Sequence, residues 1–232
     1  MRYPEVLGEI ETLNLILSGR YRSFVRYGDG CFNLMRCQRD VYHDWSPELA
    51  YELAEGLASP APGTLLCLPR PVREEDTLYY HRWKAFLETV AGVAPLLKDQ
   101  VYGSSYISRM DSAPECHTRD YWLTLSRLWV GKHVTLVAGS HRSLTRVKLL
   151  SSPNPPASVT EIEAPFRNAY NSIEHLEHEA LHADNEIVLL CTGTAARPLV
   201  PRLTRRGLCA YDLGHVGLYF DSGNPRPLQD CR

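Results

Sequence analysis

The sequence predicts an α/β fold in which a mainly parallel sheet carries helices on both faces. Three observations predict it. Short apolar runs alternate with longer helix-period stretches along the chain, and several of the runs end in a glycine-bearing turn. At 232 residues, 44% hydrophobic and 22% charged, the chain has the composition of a folded protein with one sizeable core. Strands separated by helices rather than by hairpin turns pair in parallel, and the crossover helices cover both sheet faces. A single domain over residues 1–232 is the simplest organisation. The proline loop at Pro153, Pro155 and Pro156 could divide two lobes, but neither half holds enough strands to stand alone.

Taken in order, Val6, Ile10, Leu13 and Leu17 recur at helical spacing and stop at Gly19, a suitable C-cap. Ser23 to Tyr27 reads as a strand running into Gly28-Asp29-Gly30. Ser46 caps a second helix with Pro47 at its first position. After the loop Pro60 to Gly63, Thr64 to Leu68 is a buried strand; Asp76 to Ala91 is helical, and a strand at Ser105 to Ser108 ends at Arg109. The second half repeats the rhythm. A helix spans Thr118 to Trp129, a strand His133 to Ala138 ends at Gly139-Ser140, and a short helix follows. A strand near Val159 to Ile162 precedes a helix from Asn168 to His182. The most apolar strand, Glu186 to Cys191, turns at Thr192-Gly193-Thr194 into a helix from Ala195, and Leu208 to Leu213 is the last strand.

Composition excludes several classes. The net charge is -2, from 25 Lys+Arg against 27 Asp+Glu, so no overall basic field draws the chain to nucleic acid or anionic lipid. The longest apolar run, Ile187 to Cys191, is far too short to span a bilayer, and the start Met1-Arg2-Tyr3-Pro4-Glu5 lacks a signal-peptide layout. The 7 cysteines form no C-x-x-C pair, which argues against a disulfide framework or zinc ribbon and for the cytoplasm.

Open parallel sheets bind ligands beyond the carboxyl ends of their strands. The unusual residues of this chain fall there: Arg26 and Asp29, Arg109, Gly139-Ser140, Gly193-Thr194, and Asp212 with His215. A glycine turn entering a helix, as at Gly193-Thr194, lets backbone N–H groups approach a phosphate. A strand-to-helix turn needs a glycine in any case. Arg26-Tyr27-Gly28-Asp29-Gly30 suits a charged ligand or a hydrated cation, or else a β-turn braced by an Arg–Asp pair.

His178-Glu179-Ala180-Leu181-His182 matches H-E-x-x-H, the zinc-peptidase pattern. Its charged neighbours Glu174, His175 and Glu177 instead favour a solvated helix face, with Ile173, Leu176 and Ala180 forming the core stripe. There is no G-x-S-x-G nucleophile elbow.

Five segments, in order, resemble the GT-D fold glycosyltransferases. They are Arg26-Tyr27-Gly28-Asp29-Gly30-Cys31, Ser105-Tyr106-Ile107-Ser108-Arg109, Trp129-Val130-Gly131-Lys132 through Val137-Ala138-Gly139, Pro165-Phe166-Arg167-Asn168-Ala169-Tyr170, and Gly193-Thr194-Ala195-Ala196 with Gly207 through His215. The resemblance implies a Rossmann-like domain that binds a nucleotide-sugar, typically a UDP-sugar, and transfers the sugar, a hexose by expectation, to an acceptor hydroxyl of a glycan, protein or modified nucleic acid. The near-neutral charge disfavours the last.

The same resemblance implies donor contacts from Arg26, Gly28, Asp29, Gly30, Arg109, Asn168, Gly193 and Thr194. It also implies a divalent cation, Mn²⁺ or Mg²⁺, held by a D-x-E motif whose first carboxylate is Asp29. Cys31 replaces the motif's glutamate, and Ala138 stands where relatives usually carry another. A neutral thiol is a poor ligand for a hard cation, so the metal site is weakened, moved to another carboxylate, or absent. In the last case Arg26, Arg109 and helix N-termini stabilise the departing diphosphate. Asp29, Asp212 and His215 are the expected catalytic groups, the last two as candidate bases for the acceptor hydroxyl. A non-catalytic nucleotide-sugar-binding protein is the alternative.

Overall fold

Among the described residues, seven strands lie side by side in the order β3-β2-β1-β7-β6-β4-β5. They are β1 (Ser23–Arg26), β2 (Thr64–Leu68), β3 (Gly103–Ser104), β4 (His133–Gly139), β5 (Ser158–Ala164), β6 (Ile187–Cys191) and β7 (Cys209–Asp212). Every pairing is parallel. The computed structural model describes residues 3–71, 77–109, 119–139, 149–214 and 216.

The α-helices bounded within the described residues are α1 (Glu9–Leu17), α2 (Asp29–Met35), α3 (Pro47–Ala58), α4 (Thr77–Val90), α5 (Arg119–Ser126), α6 (Ile173–His182) and α7 (Ala196–Arg205). Alternate strand residues point to opposite faces, so a sheet covered on both sides must be apolar throughout. β2 and β6 are buried at every position. Leu66, Leu68, Val188 and Leu190 pack with Leu53 and Leu57 of α3, Leu176 of α6 and Leu199 and Leu203 of α7. Leu65, Cys67, Ile187 and Leu189 pack on the other face with Leu13 and Ile16 of α1 and Leu125 of α5. Edge strand β5 is different: Glu161 and Glu163 are exposed, and such charges discourage pairing with a further strand.

Three predicted elements shift. The strand expected at Ser105 to Ser108 is β3 at Gly103–Ser104, and residues 105–108 turn. Ser104 Oγ accepts the Tyr106 N–H at 3.1 Å and the Arg109 N–H reaches Tyr106 O at 2.8 Å, which bends the chain out of the sheet. Gly28-Asp29-Gly30 is no simple turn: α2 starts at Asp29. The first helix starts at Glu9 rather than Val6, because Val6 bridges to Tyr102 and the Leu7 N–H bonds Tyr102 O. The short helix expected after Ser140 lies outside the described residues.

Candidate active site

Beyond the carboxyl ends of β1, β2, β3, β6 and β7 lies a cavity of roughly 310 Å³. Of the residues singled out in the sequence, Arg26, Gly28, Asp29, Gly30, Arg109, Gly193 and Thr194 all line it. Asp212 and Asn168 are not among its lining residues, and His215 lies outside the described residues. A larger groove of roughly 630 Å³ between α3 and α7 holds none of these groups. Its wall is a charge-paired surface, with Arg202 Nη2 2.6 Å from Glu52 Oε1.

Arg26 closes β1 and is 5% exposed. Its Nη2 lies 3.1 Å from Asp212 Oδ1, and its Nη1 donates to Ser108 Oγ at 2.8 Å. The Arg26 backbone N–H donates to Asp212 Oδ2 at 3.1 Å, and Ser108 Oγ–H in turn reaches Leu213 O at 2.9 Å. The guanidinium lies so close to Gly214 that a side chain there would overlap Nη2. Arg26 Nε is buried and has no hydrogen-bond partner.

Asp212, the last residue of β7, therefore plays a different part from the base expected of it. It is completely buried, and Arg26 occupies both its oxygens; Arg197 Nη1 stands 3.7 Å from Oδ2. Burial alone would raise its pKa, but Arg197 and Arg26 outweigh that and hold it below the usual carboxylate value. A carboxylate so committed orients cations; it is poorly placed to take a proton.

Arg197 sits in the first turn of α7 and lines the same cavity. Gly193, with φ +62, makes the left-handed turn that a side chain would resist, and its carbonyl accepts from Arg197 Nη1. Burial works against the charged form of Arg197, yet Asp212 beside it raises its pKa above the ordinary arginine value. Its Nε, like that of Arg26, is buried and unpartnered.

The segment 36–46 between α2 and α3 forms a strap across the cavity rim. Asp40 Oδ2 accepts from Thr194 Oγ1 at 2.7 Å, and Oδ1 accepts from the Val41 N–H. Its carboxylate presses on Gly30, where an added Cβ would meet Asp40 Cγ at 3.0 Å. Asn168 ties the strap's far end: its Nδ2 donates to Asp44 Oδ2 and its Oδ1 accepts the Asp44 N–H, both at 2.8 Å. Its backbone N–H also reaches Tyr42 O at 2.8 Å. Asn168 thus positions the strap rather than facing the cavity. Tyr42 lines the cavity and meets Phe166 edge-on at 5.9 Å. His43 is 1% exposed with neither ring nitrogen hydrogen-bonded; burial lowers its pKa to about 4, with Asp40 raising it and Arg197 lowering it.

The donor groups among the described residues do not fit a resident divalent cation. Cys31 is buried, and burial pushes its thiol up, away from the thiolate a metal would need. Both Asp40 oxygens accept hydrogen bonds, and among the described residues Asp29 is the exposed carboxylate on the cavity wall. Among the described residues, no group of three or more His, Cys, Asp or Glu side chains converges. His178 and His182 stack at 4.1 Å on the exposed side of α6, and His182 Nδ1 is hydrogen-bonded to His178 O, so the H-E-x-x-H string is a solvated helix face. No helix of the described residues is long and apolar enough to cross a membrane.

Sequence reasoning missed Arg197, Asp40 and Tyr42. Asp40 and Tyr42 lie in a stretch with no recognisable pattern, and the partner of Asp40 is 154 residues away. Arg197 carried a usable signal: it follows the Gly193 turn by one helical turn, facing the same strand end.

Comparison with known proteins agrees with this architecture. A solved structure described as a domain of unknown function 1792 with a distinct glycosyltransferase fold superposes with a TM-score of 0.80 at 27% identity, over 92% of this chain and 79% of its own. A glycosyltransferase from Streptococcus sanguinis gives a TM-score of 0.76 at 27% identity, over 93% and 82%. "Probable glycosyl transferase Gly" of Streptococcus gordonii is 30% identical over 95% of this chain, and Glycosyltransferase GlyD of Streptococcus pneumoniae serotype 4 is 25% identical over 94%. The chain spans only 33% and 27% of the length of those two relatives. The Glycosyltransferase GT-D fold model matches residues 24–222, and the chain belongs to that family.

Proposed function

We propose that the strand-end cavity binds a nucleotide-sugar, with UDP-sugars as the donor class, and that the chain transfers the sugar, a hexose, to an acceptor hydroxyl. The observation that carries this reading is the meeting of Arg26, Arg109, Arg197 and the Gly193 turn on one cavity in a GT-D fold. Departure of a nucleoside diphosphate builds negative charge on phosphate while the sugar becomes oxocarbenium-like. Fixed cationic donors lower that barrier most where the groups do not reorganise. Asp212 and Ser108 hold Arg26 in that way, and Asp212 with Gly193 O holds Arg197.

The acceptor hydroxyl must lose a proton as it attacks. Asp29, exposed on the cavity wall, and His215, next in the chain to cavity-lining Gly214, are the proposed acceptors of that proton. Calorimetric titration with UDP and a panel of UDP-sugars, followed by an assay for released UDP, tests the reading. Absence of binding to every nucleotide and nucleotide-sugar overturns it. Replacement of the motif glutamate by Cys31 favours a second reading, a binding protein without turnover. Donor binding without hydrolysis or transfer across an acceptor panel would select that one.

A further inference from the structure

We infer that Arg26 and Arg197, cross-braced by the buried Asp212, form a two-guanidinium clamp for the diphosphate, and that nucleotide binding does not depend on a resident divalent cation. The inference rests on the nucleotide-sugar reading above.

Two buried donors point to an anion. Arg26 and Arg197 line one cavity wall, and the Nε of each is shielded from solvent and has no hydrogen-bond partner. An unpaired buried donor on a charged group is costly to leave unmade, and a phosphate oxygen satisfies it. The remaining guanidinium contacts fix both groups in place: Arg26 through Asp212 Oδ1 and Ser108 Oγ, Arg197 through Gly193 O and the nearby Asp212 Oδ2. Asp212 thus acts as a counter-ion shared by the two guanidinium groups. The fork geometry of arginine suits phosphate better than the point charge of lysine.

The carboxylates argue the same way. A hard divalent cation takes six or more oxygens, and among the described residues the carboxylates lining the cavity are Asp29 on the exposed wall and Asp40 with both oxygens already accepting. A cation beside Asp29 would also face guanidinium charge across the same small space. Charge neutralisation of the diphosphate therefore falls to the arginines.

Titration of the full chain with UDP, once in EDTA and once in Mn²⁺, decides the matter. The expected result is a dissociation constant in EDTA within about three-fold of that in Mn²⁺, with uridine binding at least about ten-fold more weakly than UDP. Arg197→Ala should weaken UDP by about ten-fold or more, and Arg197→Lys, which keeps the charge but loses Nε, should recover only part of that. Should Arg197→Ala fail to fold, the lysine variant and the wild-type EDTA comparison carry the test. UDP binding that requires Mn²⁺, or an Arg197→Lys affinity equal to wild type, overturns the clamp and leaves the nucleotide-sugar reading standing. No UDP binding under either condition overturns both.

Discussion

Arg26 meets Asp212 twice, its backbone N–H on one carboxylate oxygen and its guanidinium on the other, across 186 residues of chain. The pair locks the carboxyl ends of two neighbouring strands together at the floor of the cavity. Asp212→Asn removes the countercharge of the buried Arg26 and the partly buried Arg197. Breaking a buried pair from one side costs about 3–5 kcal/mol, so urea denaturation should show a loss of that order. The pH dependence follows the depressed pKa of Asp212. Its contribution is complete above the unfolded carboxylate value of 3.8 and is lost as pH falls through the lower native value. An unchanged urea midpoint in Asp212→Asn would contradict this account.

His43 makes a prediction at milder pH. Its native pKa of about 4 lies below the unfolded value of 6.5. Between those values the unfolded chain takes up a proton that the folded chain refuses, so stability falls as pH drops across that window and levels off below it. The loss is on the order of 3 kcal/mol. Urea midpoints at pH 7 and pH 5 should differ in wild type and nearly coincide in His43→Gln. Equal slopes in both proteins would show that His43 is not the titrating group.

Gly214→Ala should damage the site more than its size suggests. The residue has φ +53, which costs alanine about 1 kcal/mol, and the new methyl would overlap Arg26 Nη2. Arg26 must then leave Asp212 or the turn must move. The expected readouts are a lowered melting temperature and a UDP affinity reduced at least as much as in Arg26→Lys. Wild-type affinity in Gly214→Ala would show that the guanidinium position is not critical.

Much of the sheet was legible in the sequence. Thr64 to Leu68 reads correctly to the residue because a buried parallel strand is apolar on both faces and Pro60 to Gly63 marks its start. Ser46 reads as a cap and behaves as one, its Oγ accepting the Leu49 N–H at 3.2 Å. Helix α2 was not legible, since Gly28 and Gly30 flank Asp29 and nothing local distinguishes a seven-residue helix from a turn. The cavity wall from Arg26, Asp29, Arg109 and Gly193 followed from strand ends alone. Asp40 and the arrest of Asp212 between two arginines did not, because both depend on partners more than a hundred residues distant or on burial that only packing creates.

The strap offers a local test. Thr194→Val deletes the hydrogen bond that ties Asp40 to the Gly193 turn. A bond to a charged group is worth about 1.5–3 kcal/mol, enough to raise the open population of a local segment by on the order of ten-fold or more. Trypsin should then cut faster after the exposed Arg36 and Arg39, while global unfolding by urea changes less. Unaltered cleavage at both arginines would show that other contacts hold the strap.

Strand β7 is nearly the last element described, yet it sits between β1 and β6 at the centre of the sheet. During synthesis the early ribbon β3-β2-β1 and the later ribbon β6-β4-β5 have no shared hydrogen bonds until residues 209–212 slide between them. A nascent chain that stops short of that point keeps two half-sheets with raw inner edges and no counter-ion for Arg26. This one short segment is therefore the piece that closes the sheet.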